Sequence, residues 1–277
     1  MVRTMLDFVG TSRQSRAKAS ALLDEILKGK VEATVLANDL FAIVKVLDNS
    51  AVLRRALTDP SRTNSDKTAL VRELLGSKFS SAAVELTAKL AELRWSSHND
   101  LADICEQLAI EAEASAANQA GELDRLEGEI FAFSRIVGSN SDLRQSLSMQ
   151  QYSVTSRQEL AKSLLKNQVC DATTRMVGHI VGGLRGRNIE STMFYYQNVI
   201  AARRKRVIAH VRTAISISEL QRQKISKVLE EIIGQPVRVN LEVDDSVLGG
   251  VSIRFADELI DATIVSRLAE ASRALAV

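Results

Sequence analysis

The chain has 277 residues, 45% of them hydrophobic, with 36 lysines and arginines against 34 aspartates and glutamates. That is enough for two or three domains with real cores, and a net charge of +2 at this apolar content excludes a disordered chain. No apolar run reaches the roughly 18 residues a membrane span needs. Cys105 and Cys170 lie far apart and lack metal-ligand spacing; two cysteines in 277 residues do not make a disulfide scaffold, and a reducing compartment fits. The opening MVRTMLDFVGTSRQSR has no sustained apolar core, so no secretory signal is expected.

Two prolines and abundant Ala, Leu, Glu, Arg and Ser favour helix through most of the chain. Arg16 to Gly29 reads as a first helix with Ala17, Leu22, Leu23, Ile26 and Leu27 as its stripe, and Gly29 stops it. Val31 to Leu47 follows, then a short helix from Ala51 to Leu57 ended by Asp59-Pro60. Ser65 is the expected N-cap of a helix over Asp66 to Leu75. Further helices are expected over Ser80 to Arg94 and Asn99 to Ala117. Together these make an all-α bundle.

The pattern then repeats. Shifted by about 90 positions, the chain matches itself without a gap. Phe41-Ala42 falls on Phe131-Ala132, Leu53-Arg54 on Leu143-Arg144, and Leu57 on Leu147. Leu70, Leu74 and Leu75 fall on Leu160, Leu164 and Leu165, and Lys67 meets Arg157. Agreement across several helices and the breaks between them implies a duplicated bundle, with Asn99 to Ala117 closing the first copy and opening the second. The expected domains are 1–104, an extra N-terminal helical bundle; 105–205, the second bundle; and 206–277, a small α/β domain. The fold class is mainly α, two tandem related helical bundles followed by that α/β domain.

Beyond a helix ending in the basic run Arg203-Arg204-Lys205-Arg206, the periodicity changes. Val207, Ala209, Val211 and Thr213 alternate as a strand over Val207 to Ile217. A helix from Ser218 to Ile233 ends at Gly234, and Pro236 bars its continuation. Val237, Val239, Leu241 and Val243 alternate next, then Val251, Ile253 and Phe255 after Gly249-Gly250. Leu259-Ile260 reads as a short strand, and Ala262 to Ala276 as a closing helix.

Chemistry-bearing patterns are sparse. His98, His179 and His210 have no partners at metal-ligand spacing, and no nucleophile elbow is present. The stretch Gly178 to Arg187 is glycine-rich and basic, but no Lys-Ser/Thr follows its last glycine, so it reads as a helix end and a solvated loop rather than a phosphate loop. Trp95 is the sole tryptophan, either a contact anchor or packed on its own bundle. Asp244-Asp245, Asp257 and Asp261 occupy turn positions between strands, where carboxylates are common. No catalytic, cofactor or metal residues are assigned. The competing reading is a nucleotide- or nucleic-acid-binding helical protein using the basic run at 203–206 and the Gly178 to Arg187 loop; the balanced charge and scarce aromatics weigh against it.

The run from Leu241 to Leu268 resembles the C-terminal signature of the δ subunits of bacterial F-type ATP synthases, relatives of the mitochondrial oligomycin-sensitivity-conferral protein. The resemblance rests on Leu248, Gly249, Gly250, Asp257, Asp261, Arg267 and Leu268. It departs at Ala256 and Ala262, where the family usually has glycine, and at Thr263, where it has serine. Upstream, Ala209 to Glu219 and Leu123 to Leu165 are similar to the family's strand, helix start and helical bundle, so the likeness covers about residues 105–277. Residues before that resemble the extended, duplicated actinobacterial form.

The resemblance implies a non-catalytic peripheral-stalk, or stator, subunit that links the catalytic head to the membrane-anchored b subunits for rotational ATP synthesis. The implied partners are the N-terminal helices of the ATP synthase α subunits, taken in a groove of a helical bundle, and the C-terminal region of b, met by the C-terminal domain. It implies no cofactor, no nucleic acid, and membrane contact only through partners at the cytoplasmic face of the bacterial plasma membrane. The extra bundle is expected to lengthen or reinforce the connection, and Gly249-Gly250 to hold a sheet edge in shape for a partner.

Overall fold

The computed structural model describes residues 11–29, 31–149, 151–203, 207–233, 237–244, 250–255 and 258–263. The chain divides into two compact units, residues 1–199 and 200–277.

The first unit is helical. It begins with α1 (Thr11–Leu27), α2 (Ala33–Asp48), α3 (Ala51–Thr58), α4 (Asn64–Leu75), α5 (Ser81–Glu92) and α6 (Asp100–Gln119). It continues with α7 (Leu123–Ser139), α8 (Ser141–Ser148), α9 (Val154–Leu165), α10 (Asp171–Gly182) and α11 (Ile189–Arg203), the last of which runs beyond residue 199. A shift of 90 positions lays α2 to α5 onto α7 to α10, with their first residues in register. Burial follows the same register: Lys67, Val71 and Leu75 are the buried residues of α4, and Arg157, Ala161 and Leu165 those of α9.

Helix starts are fixed by local chemistry that recurs at the same spacing. Ser50 accepts a hydrogen bond from the Leu53 amide, and Asn140 accepts one from Leu143. Thr63 accepts from Asp66, and Ser153 from Ser156. Each cap satisfies one of the orphan donors of a first helical turn. The cap of α4 is therefore Thr63 rather than the expected Ser65, whose hydroxyl instead meets that of Thr63 at 2.9 Å.

One helix belongs to both copies. The same shift carries α1 onto α6 and α6 onto α11, so α6 is the sixth helix of the first bundle and the first helix of the second. It is buried on all sides, including Leu101, Ile104, Cys105, Leu108, Ala109, Ala112 and four carboxylates, Asp100, Glu106, Glu111 and Glu113. It runs unbroken past residue 104.

The second unit holds a four-stranded sheet of order β2-β1-β3-β4, from β1 (Val207–Thr213), β2 (Val237–Val243), β3 (Gly250–Phe255) and β4 (Glu258–Thr263). β1 and β2 are parallel, joined through α12 (Glu219–Ile233), as parallel neighbours require a crossover. β3 is antiparallel to β1 and β4 to β3. The core is Ala209, Val211, Leu229, Val237, Val239 and Ile253, the alternating positions of the strands plus the inner face of α12. β1 stops at Thr213, four residues short of the expected Ile217; its carbonyl accepts from the Asp244 amide and its hydroxyl donates to the Ile215 carbonyl at 2.8 Å. The expected two-residue strand is six residues long, because pairing with β3 runs from Phe255↔Glu258 to Gly250↔Thr263. Ala262 and Thr263 thus end a strand rather than begin a helix. The remainder of the expected closing helix lies outside the described residues.

Candidate functional site

Of the seven signature residues, Gly250 opens β3 opposite Thr263, and Asp261 lies in β4 opposite Ser252. Leu248, Gly249, Asp257, Arg267 and Leu268 fall outside the described residues, as do 204–206 of the basic run.

The best-defined polar constellation lies elsewhere, where the α10–α11 loop meets α2 and α6. Arg185 and Gly186 adopt successive left-handed conformations, φ 52° and 77°, which reverse the chain after α10. Glycine accepts this freely, whereas an arginine there needs compensation. Compensation comes from three carboxylates. Arg185 reaches Asp48 at 2.7 and 3.0 Å, Asp103 at 2.9 Å and Glu106 at 2.7 Å. Arg187 donates to the other oxygen of Glu106 and stacks its guanidinium 5.2 Å from the Tyr195 ring centroid. The Tyr196 hydroxyl donates weakly to Glu106 at 3.4 Å.

The electrostatics follow from burial and pairing. Burial pulls the Arg185 guanidinium down, but its bonds to Asp48 and the charges of Glu106 and Asp103 outweigh it and hold the group above the usual arginine value. Burial raises the Asp103 carboxyl, and Arg185 works against that rise. The stretch read as a solvated loop is thus pinned, its two arginines engaged within the protein. It does not supply the free cationic loop that nucleotide binding calls for. The missed signal was on α6: acids three positions apart inside an otherwise apolar helix demand buried cations.

A second constellation ties the copies to the same design. The Asp39 carboxylate of α2 accepts from the Ser80 amide at the start of α5, at 2.8 Å. Ninety positions on, Glu129 of α7 accepts from the Cys170 amide at the start of α10, also at 2.8 Å. Arg54 and Arg144 likewise donate to the carbonyls of Asp48 and Gly138 at 2.9 and 3.0 Å. The identity at Arg54 and Arg144 therefore reflects the closing of a helix end.

His179 stacks on Phe41 with centroids 3.8 Å apart and meets the Asn38 side-chain oxygen at 3.3 Å. Burial, then Lys45 and Arg175, push its imidazole down to about 4. Trp95 donates its indole N–H to the Leu90 carbonyl at 2.9 Å, within its own bundle. Burial pushes the Cys105 thiol up to about 12. Among the described residues no group of three His, Cys, Asp or Glu side chains could hold a metal ion.

What remains for docking is apolar surface. Leu74 and Leu164, counterparts on α4 and α9, are each 41% exposed, and Ile136 of α7 is exposed as well. In the second unit Leu220 and Val228 of α12 are 71% and 54% exposed, with Ile215 in the loop before them.

Residues 110–275 match the family model described as ATP synthase delta (OSCP) subunit. The chain is 38% identical over 268 residues to the ATP synthase subunit delta of Streptomyces coelicolor, spanning 96% of this chain and 98% of that one. It is 37% identical to that of Thermobifida fusca, over 96% of this chain and 99% of the relative. The first bundle is thus shared with these relatives. A chain of the solved Toxoplasma gondii mitochondrial ATP synthase hexamer aligns with 61% of this one at 16% identity and a TM-score of 0.37, a likeness too distant to add to the sequence match.

Proposed function

From the premise that this chain belongs to the ATP synthase delta (OSCP) subunit family, we propose a division of labour in which its helical unit meets the catalytic head and its sheet unit meets the stalk. The chain is a non-catalytic stator subunit of ATP synthase, a peripheral component of a membrane-bound complex. Among its described residues no helix is long and apolar enough to cross a membrane. The partners we assign are the N-terminal helices of the α subunits, taken by a helical bundle, and the C-terminal region of b, taken by residues 206–277. The complex would then sit at the cytoplasmic face of the plasma membrane.

The observation that carries this reading is the match to delta subunits over nearly the whole chain, both helical bundles and sheet unit included. The physical chemistry suits it. An amphipathic partner helix needs an apolar stripe, and Leu74, Leu164 and Ile136 are exposed on the bundles, while Leu220 and Val228 are exposed on α12. Two separate footprints on one chain raise the effective concentration of each contact once the other has formed, as a link resisting torque requires.

The test uses the full chain with an α N-terminal peptide and a C-terminal b fragment as separate probes. Leu220→Glu with Val228→Glu is expected to weaken b binding at least tenfold and leave α-peptide binding unchanged. Undiminished b binding would remove α12 from the interface, and an unmodified chain that captures neither probe would overturn the assignment of partners. Replacing Gly250 with valine tests the sheet-edge role of the signature; b binding at the unmodified level in a folded variant would dismiss it.

A further inference from the structure

The first bundle sits on a surface of the second whose counterpart on itself stays open. On α1 the positions Gln14, Ala17, Lys18 and Ala21 are exposed. Ninety positions on, Ile104, Gln107, Leu108 and Glu111 of α6 are all buried. Bonds to the first bundle show what covers that side of α6: Ser12 donates to Asp100 at 2.7 Å, and Ser20 to Glu111 at 3.4 Å. The bundles are thus joined head to tail, a heterologous contact between related units that ends at the polar face of α1.

Such a joint needs fixing, because a shared helix alone leaves the two bundles free to twist about its axis. We propose that Arg185 is the latch of this joint, fastening the end of α2 in the first bundle to the α10–α11 loop of the second across α6. The acceptors are divided accordingly. Asp48 belongs to the first bundle, and Asp103 and Glu106 to the shared helix. At the position equivalent to Arg185, ninety residues earlier, the first bundle has Trp95, whose indole N–H is spent on Leu90. Its loop therefore carries no second copy of the latch. The guanidinium reaches the three carboxylates through separate nitrogens of a fixed planar fork, Nε and Nη2 to Asp48, Nη2 to Asp103 and Nη1 to Glu106; a lysine ammonium offers its donors from a single atom. The Phe41–His179 stack and the Asn38–His179 contact lie along the same α2–α10 seam, so the latch closes an interface that is already packed.

The test reads the joint rather than overall stability. Spin labels at Ala69 on α4 and Glu159 on α9, both exposed and at equivalent places in the two bundles, report the distance between the copies in the full chain. The wild-type distribution is expected to be narrow, and Arg185→Ala to widen it about twofold while the helical content stays native. Arg185→Lys should widen it nearly as much. Should Arg185→Ala fail to fold, Asp48→Ala removes only the first-bundle end of the latch and is expected to give the same widening. A folded Asp48→Ala or Arg185→Ala variant with the wild-type width would overturn the proposal and leave Arg185 a purely local loop anchor.

Discussion

α1 and α6 hold the same place in two copies of one bundle, yet they live in different solvents. α1 keeps Lys18 and Glu25 in water, whereas α6 buries the equivalent Leu108 and three-quarters of its remaining length. The difference teaches that a helix's sequence is set by how many bundles it serves. Serving one, α1 can be amphipathic in the ordinary way. Serving two, α6 is buried almost all round, and each acid it buries needs a partner of its own. Glu106 has Arg185 and Arg187, Glu113 has Arg175 at 2.6 Å, and Glu111 accepts from Gln107 at 2.6 Å.

The strongest way to break this contrast is to remove Glu106. Glu106→Ala takes from Arg185 one of its three carboxylates and from Arg187 its bond to Glu106, and is expected to cost about 3–5 kcal/mol, the usual penalty for splitting a buried pair. Urea unfolding followed by the fluorescence of Trp95, the sole tryptophan, measures it in the first bundle. Next comes the matched pair Leu108→Ala and Lys18→Ala. The first should cost about 2–5 kcal/mol as a cavity in a fully buried core. The second, at the equivalent place on α1, should stay within about 0.5 kcal/mol.

The seam between α2 and α10 sharpens the comparison through pH. His179 in the folded chain titrates near 4, below its ordinary value of 6.5. The unfolded chain therefore binds the proton first, and stability present above pH 6.5 is lost as pH falls toward 4. Between pH 7.5 and 5 the loss from this group should be about 2 kcal/mol, and His179→Leu should flatten that slope. The smallest effect is a test of sameness. Asp39→Ala and Glu129→Ala each remove the carboxylate over a helix start and should cost about 1 kcal/mol apiece. Thermal unfolding that showed one costly and the other silent would mean the copies no longer share that design.

Much of the fold was legible because it is written in periodicities. The alternation at Val237, Val239, Leu241 and Val243 gave a strand with the observed limits, and the 90-position shift gave the duplication together with the double duty of the helix from Asn99. What escaped was chemistry that depends on distant partners. Ser65 reads as a cap because its hydroxyl suits one, and only the backbone path gives that place to Thr63. Leu259-Ile260 looked too short, because a hairpin strand takes its length from its neighbour, here β3. Arg185 and Arg187 read as surface, since no local pattern ties a loop to carboxylates some 80 and more positions upstream. The signature around Gly250 disclosed the family, but on the strand positions it left only backbone register, at Gly250 and Asp261.

The shared helix also orders how the protein is made. A ribosome delivers α1 to α5 first, and that bundle lacks its sixth member until Asp100 to Gln119 has left the exit tunnel. Once α6 docks, its opposite side, with Ala102, Cys105, Ala109 and Glu113, stands bare as a finished template on which α7 to α10 assemble. Synthesis from the N-terminus thus makes the second bundle grow on the first, and a pause after α6 would leave an apolar, aggregation-prone helix waiting for its other half.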